Sequence, residues 1–321
     1  MLIAMTIWSV VYAATLEFAR VHCSYDYRTF FKSLLGPFWI VFELAYLLAI
    51  FTVLSVLTSV AGNTLEKVTG WSVLLCEAGF MAAVAFVLFF GTRVVERFLS
   101  LWSFVLYAAF AALVILSFAH FGDRIIEHIQ AARVEDFGGV AWQGVKYASY
   151  NISAIVAVLF CARHIQNRKD ALIGGLLGGP LAMIPGMFFF LAMSAWEPAI
   201  REQAVPVDYL LDKLDKPTFR LIFLTVMAIT LVGTCSALIH AVNERVAQSL
   251  ATANRPFHGW MRAAIAAVTM VLSVSVAVSI GLVALVDRGY SLLAWVFIVV
   301  FMIPILTYGL WKLARMPADN I

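Results

Sequence analysis

Residues 38–61 read FWIVFELAYLLAIFTVLSVLTSVA, 24 positions with one charged side chain, Glu43. The apolar residues do not alternate, and they do not stop after the six or eight positions of a buried strand. A helix rises 1.5 Å per residue, so this stretch reaches about 36 Å, enough to cross a hydrocarbon core of about 30 Å. It reads as a helix whose solvent is lipid. Runs of the same kind lie at about 1–18, 71–92, 98–121, 139–162, 171–195, 218–241, 260–286 and 290–313. Hydrophobic residues make up 63% of the 321 positions and charged ones 13%, against roughly 25% charged in soluble domains. Such a chain has no polar coat. Backbone groups in lipid must pair internally, which leaves helices or a closed barrel, and barrel strands alternate. The expectation is an all-α, polytopic helical membrane protein of about nine transmembrane helices, with residues 1–321 forming a single transmembrane domain.

Other classes fall away. A net charge of +3 without a basic run gives nucleic acid nothing to bind. Cys23, Cys76, Cys161 and Cys235 are scattered, with no Cys-x-x-Cys or Cys/His spacing. They read as packing residues, and no metal or cofactor is expected. The first 18 residues lack a basic n-region and read as a full span rather than a signal peptide.

The connections alternate in charge. Arg20, Arg28 and Lys32 follow the first run, Arg93 and Arg97 the third, Arg163, Arg168 and Lys169 the fifth, and Arg245 and Arg255 the seventh. Lys312 and Arg315 lie in the tail. The acidic residues Asp123, Glu127, Glu135 and Asp136 share one even connection, and Glu197, Glu202, Asp208, Asp212 and Asp215 another. The positive-inside rule puts the basic loops and the C-terminus in the cytoplasm, in the cell (inner) membrane. Nine spans then leave the N-terminus outside, and parity points to one further helix upstream. Ten helices divide into two halves of five with opposite orientation, an inverted repeat of the kind secondary transporters use. In the loop 196–217, Pro198, Pro206 and Pro217 surround VDYLLDKL, where Val207, Leu210, Leu211 and Leu214 keep helical spacing. This is a short amphipathic helix at the extracellular mouth, either a lid or an interfacial helix.

Polar groups are costly in a membrane, so those inside the runs are the informative ones. Glu43 lies about 9 Å along its helix from Pro37, with Tyr46 one turn on and on the same face. It is either an ion- or proton-linked carboxylate or a structural one. Glu77 is placed in an outer vestibule or in a helix-to-helix bond, and Lys146 snorkels outward. KYASYNIS at 146–153 sets Tyr147, Ser149, Tyr150, Asn151 and Ser153 around one helix at mid-membrane, a pattern that suits an unwound or cavity-lining stretch. In GGLLGGPLAMIPG, Gly174/Gly178 and Gly175/Gly179 form small-xxx-small faces for close packing, with kinks at Pro180 and Pro185. Thr230, Thr234 and Ser236 either bond back to their own helix or supply hard oxygens to a sodium ion. His240 and Glu244, one turn apart with Asn243 between them, could pair or relay a proton.

With these segments placed, the chain resembles the YkvI-type membrane proteins, a bacterial group of the amino acid–polyamine–cation transporter superfamily with the LeuT-like fold. The resemblance is carried by YDYRTFFKSLLGPFWIVFELAY at 25–46, KYASYNISAI at 146–155 and the stretch from Thr234 to Glu244, and it covers the whole chain. It implies ten core helices, of which this sequence begins at the second. By the same resemblance, residues 147–153 would be the broken sixth family helix, Glu43 and Tyr46 would line the third, Thr234 and Ser236 would stand where relatives bind a coupling sodium, and 197–216 would be the lid. The implied function is sodium- or proton-coupled alternating-access transport of a small solute, an amino acid or amine by the superfamily default. Tyr46, Tyr147, Tyr150, Asn151 and Ser153 would bind the solute, and Glu43, Thr234 and Ser236 the coupling ion. The expected partners are that solute and membrane lipid, with the oligomeric state left open. No enzyme activity is expected. The alternatives are a non-transporting sensor or receptor subunit and, behind it, an intramembrane enzyme.

Overall fold

The computed structural model describes residues 1–89, 92–131, 133, 136–252 and 254–315. Glu135 and the side chains of Arg93 and Arg97 lie outside the described residues. Every regular element among the described residues is helical. In chain order they are α1 (Leu2–Val21), α2 (Tyr27–Leu35), α3 (Trp39–Thr69), α4 (Val73–Phe89), α5 (Thr92–Ala131), α6 (Phe137–Asn151), α7 (Arg168–Ser194), α8 (Pro206–Lys213), α9 (Pro217–Thr252) and α10 (Gly259–Ile280). The last helical stretch, α11, is Leu282–Ala314. Seven stretches are long and apolar enough to cross a membrane: α1, Tyr27–Thr69, Trp102–Ala131, α7, Pro217–Ala251, α10 and α11. Of the other two expected spans, 71–92 corresponds to α4, 17 residues long. The segment 139–162 divides into α6, of 15 residues, and a 3₁₀ stretch, Ile152–His164. The outward faces are apolar: Leu181 is 75% exposed, Phe104 74% and Trp260 70%. Lipid is the solvent that tolerates such a surface.

The described chain forms two compact units. The first comprises Met1–Ala49, Ala132–Phe188 and Arg288–Ile321. Its core is aromatic. Phe31 stacks on Phe42 with ring centroids 3.3 Å apart and meets Phe301 edge-on at 5.1 Å. Phe18, Phe30 and Phe297 complete the cluster. Part of it comes from α2, which lies inside the connection that the sequence left as a loop. Asp26 caps this helix by accepting from the Thr29 amide at 2.9 Å. Phe30, Phe31 and Leu34 bury one face, while Arg28 and Lys32 lie over the Trp39 ring at 5.1 and 5.2 Å. Gly36, at φ +59°, turns the chain from α2 toward α3, a backbone conformation that favours glycine.

α1 and α7 meet backbone to backbone. A Cβ at Gly175 would fall on the Ala13 backbone, and one at Gly179 on Ser9 and the Met5 carbonyl. This is the close packing expected of the small-residue faces. Pro180 cannot donate to the Leu176 carbonyl one turn back, and the Ser9 hydroxyl of α1 donates to it instead at 2.9 Å. α11 carries three turns of wider, π-helical winding, Leu285–Gly289, Ile298–Met302 and Ile305–Gly309.

The second unit comprises Ile50–Ala131 and Phe189–Asp287. One apolar cluster, with Leu54, Ala61, Phe80, Val84, Cys235 and Ile239, joins α3, α4 and α9. Another, with Leu113, Leu210, Leu211, Leu214 and Phe223, seats α8 against α5 and α9. The amphipathic helix read from 196–217 is therefore α8, with its apolar side turned inward. Asp208, on that inward side, is 1% exposed. Its carboxylate accepts from Lys67 Nζ at 2.9 Å and from Arg220 Nη2 at 2.8 Å. α8 is thus tied to the end of α3 and to the first turn of α9.

Candidate functional site

The polar residues of the fifth expected span sit where the helix changes its winding. α6 ends at Asn151, and the chain continues as 3₁₀ helix for 13 residues. Runs of that winding beyond three or four residues are uncommon and often mark strain or a hinge. Neither glycine nor proline occurs at the change. The local groups secure it themselves. Asn151 Nδ2 donates to the Tyr147 carbonyl at 2.8 Å, Ser153 Oγ to the Tyr150 carbonyl at 3.1 Å, and Ser149 Oγ to the Val145 carbonyl at 2.6 Å. The Ala148 carbonyl accepts both the Ile152 amide and, at 3.0 Å, the indole N–H of Trp8 from α1. Side-chain donors of this kind compete with the regular ladder and help to hold an irregular backbone.

The tyrosines converge. Tyr147 meets Tyr150 edge-on at 5.5 Å, and Tyr150 stacks on Tyr290 of α11 at 4.7 Å. Tyr290 was not among the candidates from the sequence. It lies 140 positions from Tyr150, at the edge of an apolar run, and no local pattern marks it. Tyr46 packs on the same aromatic core and stacks on Phe42 at 5.9 Å. Glu43 is half-buried on α3 of the same unit, with its Oε2 turned out of solvent.

A separate cavity of about 550 Å³ opens in this unit between α1, α7 and α11. Its walls are mainly apolar, including Val10, Leu172, Leu176 and Leu313, with Glu17 and Arg168 as the charged residues. Tyr147, Tyr150, Asn151 and Ser153 do not line it. Glu17 was also missed from the sequence. It is 5% exposed and takes two hydrogen bonds from Arg20, at 2.8 and 2.9 Å. A buried carboxylate held by a neighbouring guanidinium is compensated within its own helix, and the i,i+3 spacing was the signal that could have revealed it.

The coupling-ion candidates Thr234 and Ser236 belong to the second unit. Thr234 is exposed and donates to the Thr230 carbonyl at 2.9 Å. Ser236 is buried and donates to the Val232 carbonyl at 2.8 Å. Two residues apart on a helix, they face away from each other, and each hydroxyl proton bonds back to its own helix. Thr230 Oγ1 also accepts from the Trp102 indole at 3.2 Å. His240 Nε2 stands 3.9 Å from Glu244, whose carboxylate accepts from Arg262 at 3.1 Å. Among the described residues there is no group of three or more His, Cys, Asp or Glu side chains able to hold a metal ion.

Comparison of the chain with protein-family models and with curated protein sequences finds no match.

Proposed function

We propose that the protein is a secondary transporter that carries a small solute bearing an amine, driven by a sodium or proton gradient. The observation that carries this reading is the change of winding at Asn151, with two tyrosines, an amide and hydroxyls gathered there. Irregular backbone at membrane depth is tolerated where it is buried in protein or lines an aqueous path, and transporters place their solute sites at such interruptions. Tyrosine faces attract ammonium groups. Tyr147, Tyr150, Asn151 and Ser153 therefore act as solute ligands in this reading, with Tyr46 and Glu43 on α3 of the same unit.

The composition of the two units supports the repeat on which alternating access depends. Under a LeuT-like inverted repeat in the register of that resemblance, α1 corresponds to α7, α3 to α9, α4 to α10 and α5 to α11. The first unit holds α1 and most of α7, whereas the second holds α4, α10, α9 and the larger part of α3. Three corresponding pairs thus share a unit, whereas α5 lies in the second unit and most of its counterpart α11 in the first. In this reading the C-terminus is cytoplasmic and α8 lies on the extracellular side.

The test is uptake of radiolabelled amino acids and amines into proteoliposomes under an imposed sodium or proton gradient. Gradient-driven accumulation is expected, falling at least tenfold in Tyr150→Ala and severalfold in Asn151→Ala. Saturable binding without flux would overturn transport in favour of a sensor subunit.

A further inference from the structure

Glu77, on α4, is 1% exposed. It does not stand in an open vestibule. It packs on α3 so closely that a Cβ at Gly62 would fall on its side chain. The Ser59 hydroxyl of α3 stands against the carboxyl, and Ser59 is backed by Asn63, whose amide donates to the Ser59 carbonyl at 2.7 Å and approaches its hydroxyl at 3.4 Å. Among the described residues the buried Oε2 finds no hydrogen-bond partner and Glu77 forms no ion pair. The adjoining apolar cluster of α3, α4, α9 and α10 contributes the buried Cys235 thiol, and the neighbouring Cys76 on α4 is buried as well. Among the described residues no charged side chain pairs with the carboxyl; burial and the Ser59 hydroxyl act on it.

A carboxylate with one hydroxyl neighbour and no cation is among the most expensive groups to bury in a membrane interior. An orphaned buried oxygen of this kind calls for an explanation. A desolvated metal ion would need a cage of oxygens, whereas a proton needs none, and the tight fit against Gly62 suits the neutral acid. We propose that Glu77 holds a proton at neutral pH and is a proton-coupling group of the protein. Release of that proton requires an opening of the α3–α4 contact, which links the proton to conformation. The coupling role rests on the transport reading. The bound proton does not.

The test is infrared spectroscopy of the full chain in lipid bilayers at pH 7 in potassium buffer. A protonated carboxyl has a carbonyl stretch well separated from the carboxylate bands. One such band is expected in the wild type and should be absent in Glu77→Gln. No difference between the two would overturn the proposal, and so would loss of the band on replacing potassium with sodium. Should Glu77→Gln fail to fold, Ser59→Ala decides the matter: loss of the hydroxyl shifts the band if Glu77 is its source, and an unmoved band overturns the assignment. Where the band is present, proton-driven accumulation that is unchanged in Glu77→Gln overturns the coupling role. A wild type that shows the band yet moves no solute contradicts the transport reading instead.

Discussion

Two carboxylates of the second unit are equally buried and differently accompanied. Asp208, on α8, is 1% exposed and meets two cations, each partly in water: the Lys67 side chain is 40% exposed and that of Arg220 32%. Glu77, at the α3–α4 crossing, is also 1% exposed and meets a hydroxyl. Burial alone therefore says little about what an acidic group does in this protein. At α8 the charge is a fastener, because the surrounding helices supply its counter-charges. At α4 the packing is shaped around a group to which no described residue supplies a counter-charge.

The sharpest way to break this comparison is a pair of amide substitutions. Asp208→Asn removes the charge that holds Lys67 and Arg220 together. Deleting one partner of a buried pair costs about 3–5 kcal/mol, and because both cations reach solvent the low end, about 3 kcal/mol, is expected. Glu77→Gln should change stability by less than about 1 kcal/mol at pH 7, since it removes no ion pair. Thermal unfolding in lipid nanodiscs measures both. Equal losses would mean that the two carboxyls play the same structural part.

Gly62→Ala sharpens the contrast at α4. The added methyl must displace the Glu77 side chain, an overpacking worth about 1–3 kcal/mol. The Gly62→Ala/Glu77→Ala double mutant should recover part of that loss, a non-additivity that reports direct contact. Additive losses would remove Gly62 from the account of Glu77.

The smallest effect is expected at a third ionisable group, His22 at the end of α1. Burial and the nearby Lys312 ammonium hold its imidazole below the usual range, against a partly opposing hydrogen bond with the Phe18 carbonyl. Its ring stacks on Phe18 at 4.0 Å. A base whose folded pKa lies below its unfolded value of about 6.5 favours the fold while neutral. That contribution is present above about pH 6.5 and is lost as the pH falls below it. Melting temperature should therefore drop on acidification, and His22→Gln should flatten that slope.

Much of this was legible in the sequence. The seven membrane-length stretches follow from unbroken apolar runs and α8 from the spacing of Val207, Leu210, Leu211 and Leu214, while the polar turn at 147–153 lies at the end of α6, where the winding changes. Local periodicity carries these features, so they survive without knowledge of the tertiary contacts. α2 was hidden because its Phe30, Phe31 and Leu34 are too few to register as a run between basic residues. The partners of Asp208 and Glu77 were hidden for a different reason. Lys67 and Asp208 lie 141 positions apart, and no pattern along a chain announces which far residue will face a buried acid. The hydroxyls of Thr234 and Ser236 read equally well as ligands or as back-bonded groups until their acceptors were located.

The wide turns of α11 bear on the length of the chain itself. Leu293, Phe297, Phe301, Ile305 and Gly309 are all buried, a stripe that repeats every four residues. Ordinary winding advances 100° per residue, so such a stripe would wander by about 160° from Leu293 to Gly309. Each π-helical turn takes up one additional residue and cancels that drift. A one-residue deletion within Ile298–Met302 would tighten the turn to ordinary winding and leave Gly309 beside Leu34. The same deletion in α7 ahead of Gly175 would rotate Gly175 and Gly179 away from α1. Natural gain or loss of single residues in the descendants of this gene should accordingly collect in α11 and be scarce in the first half of α7.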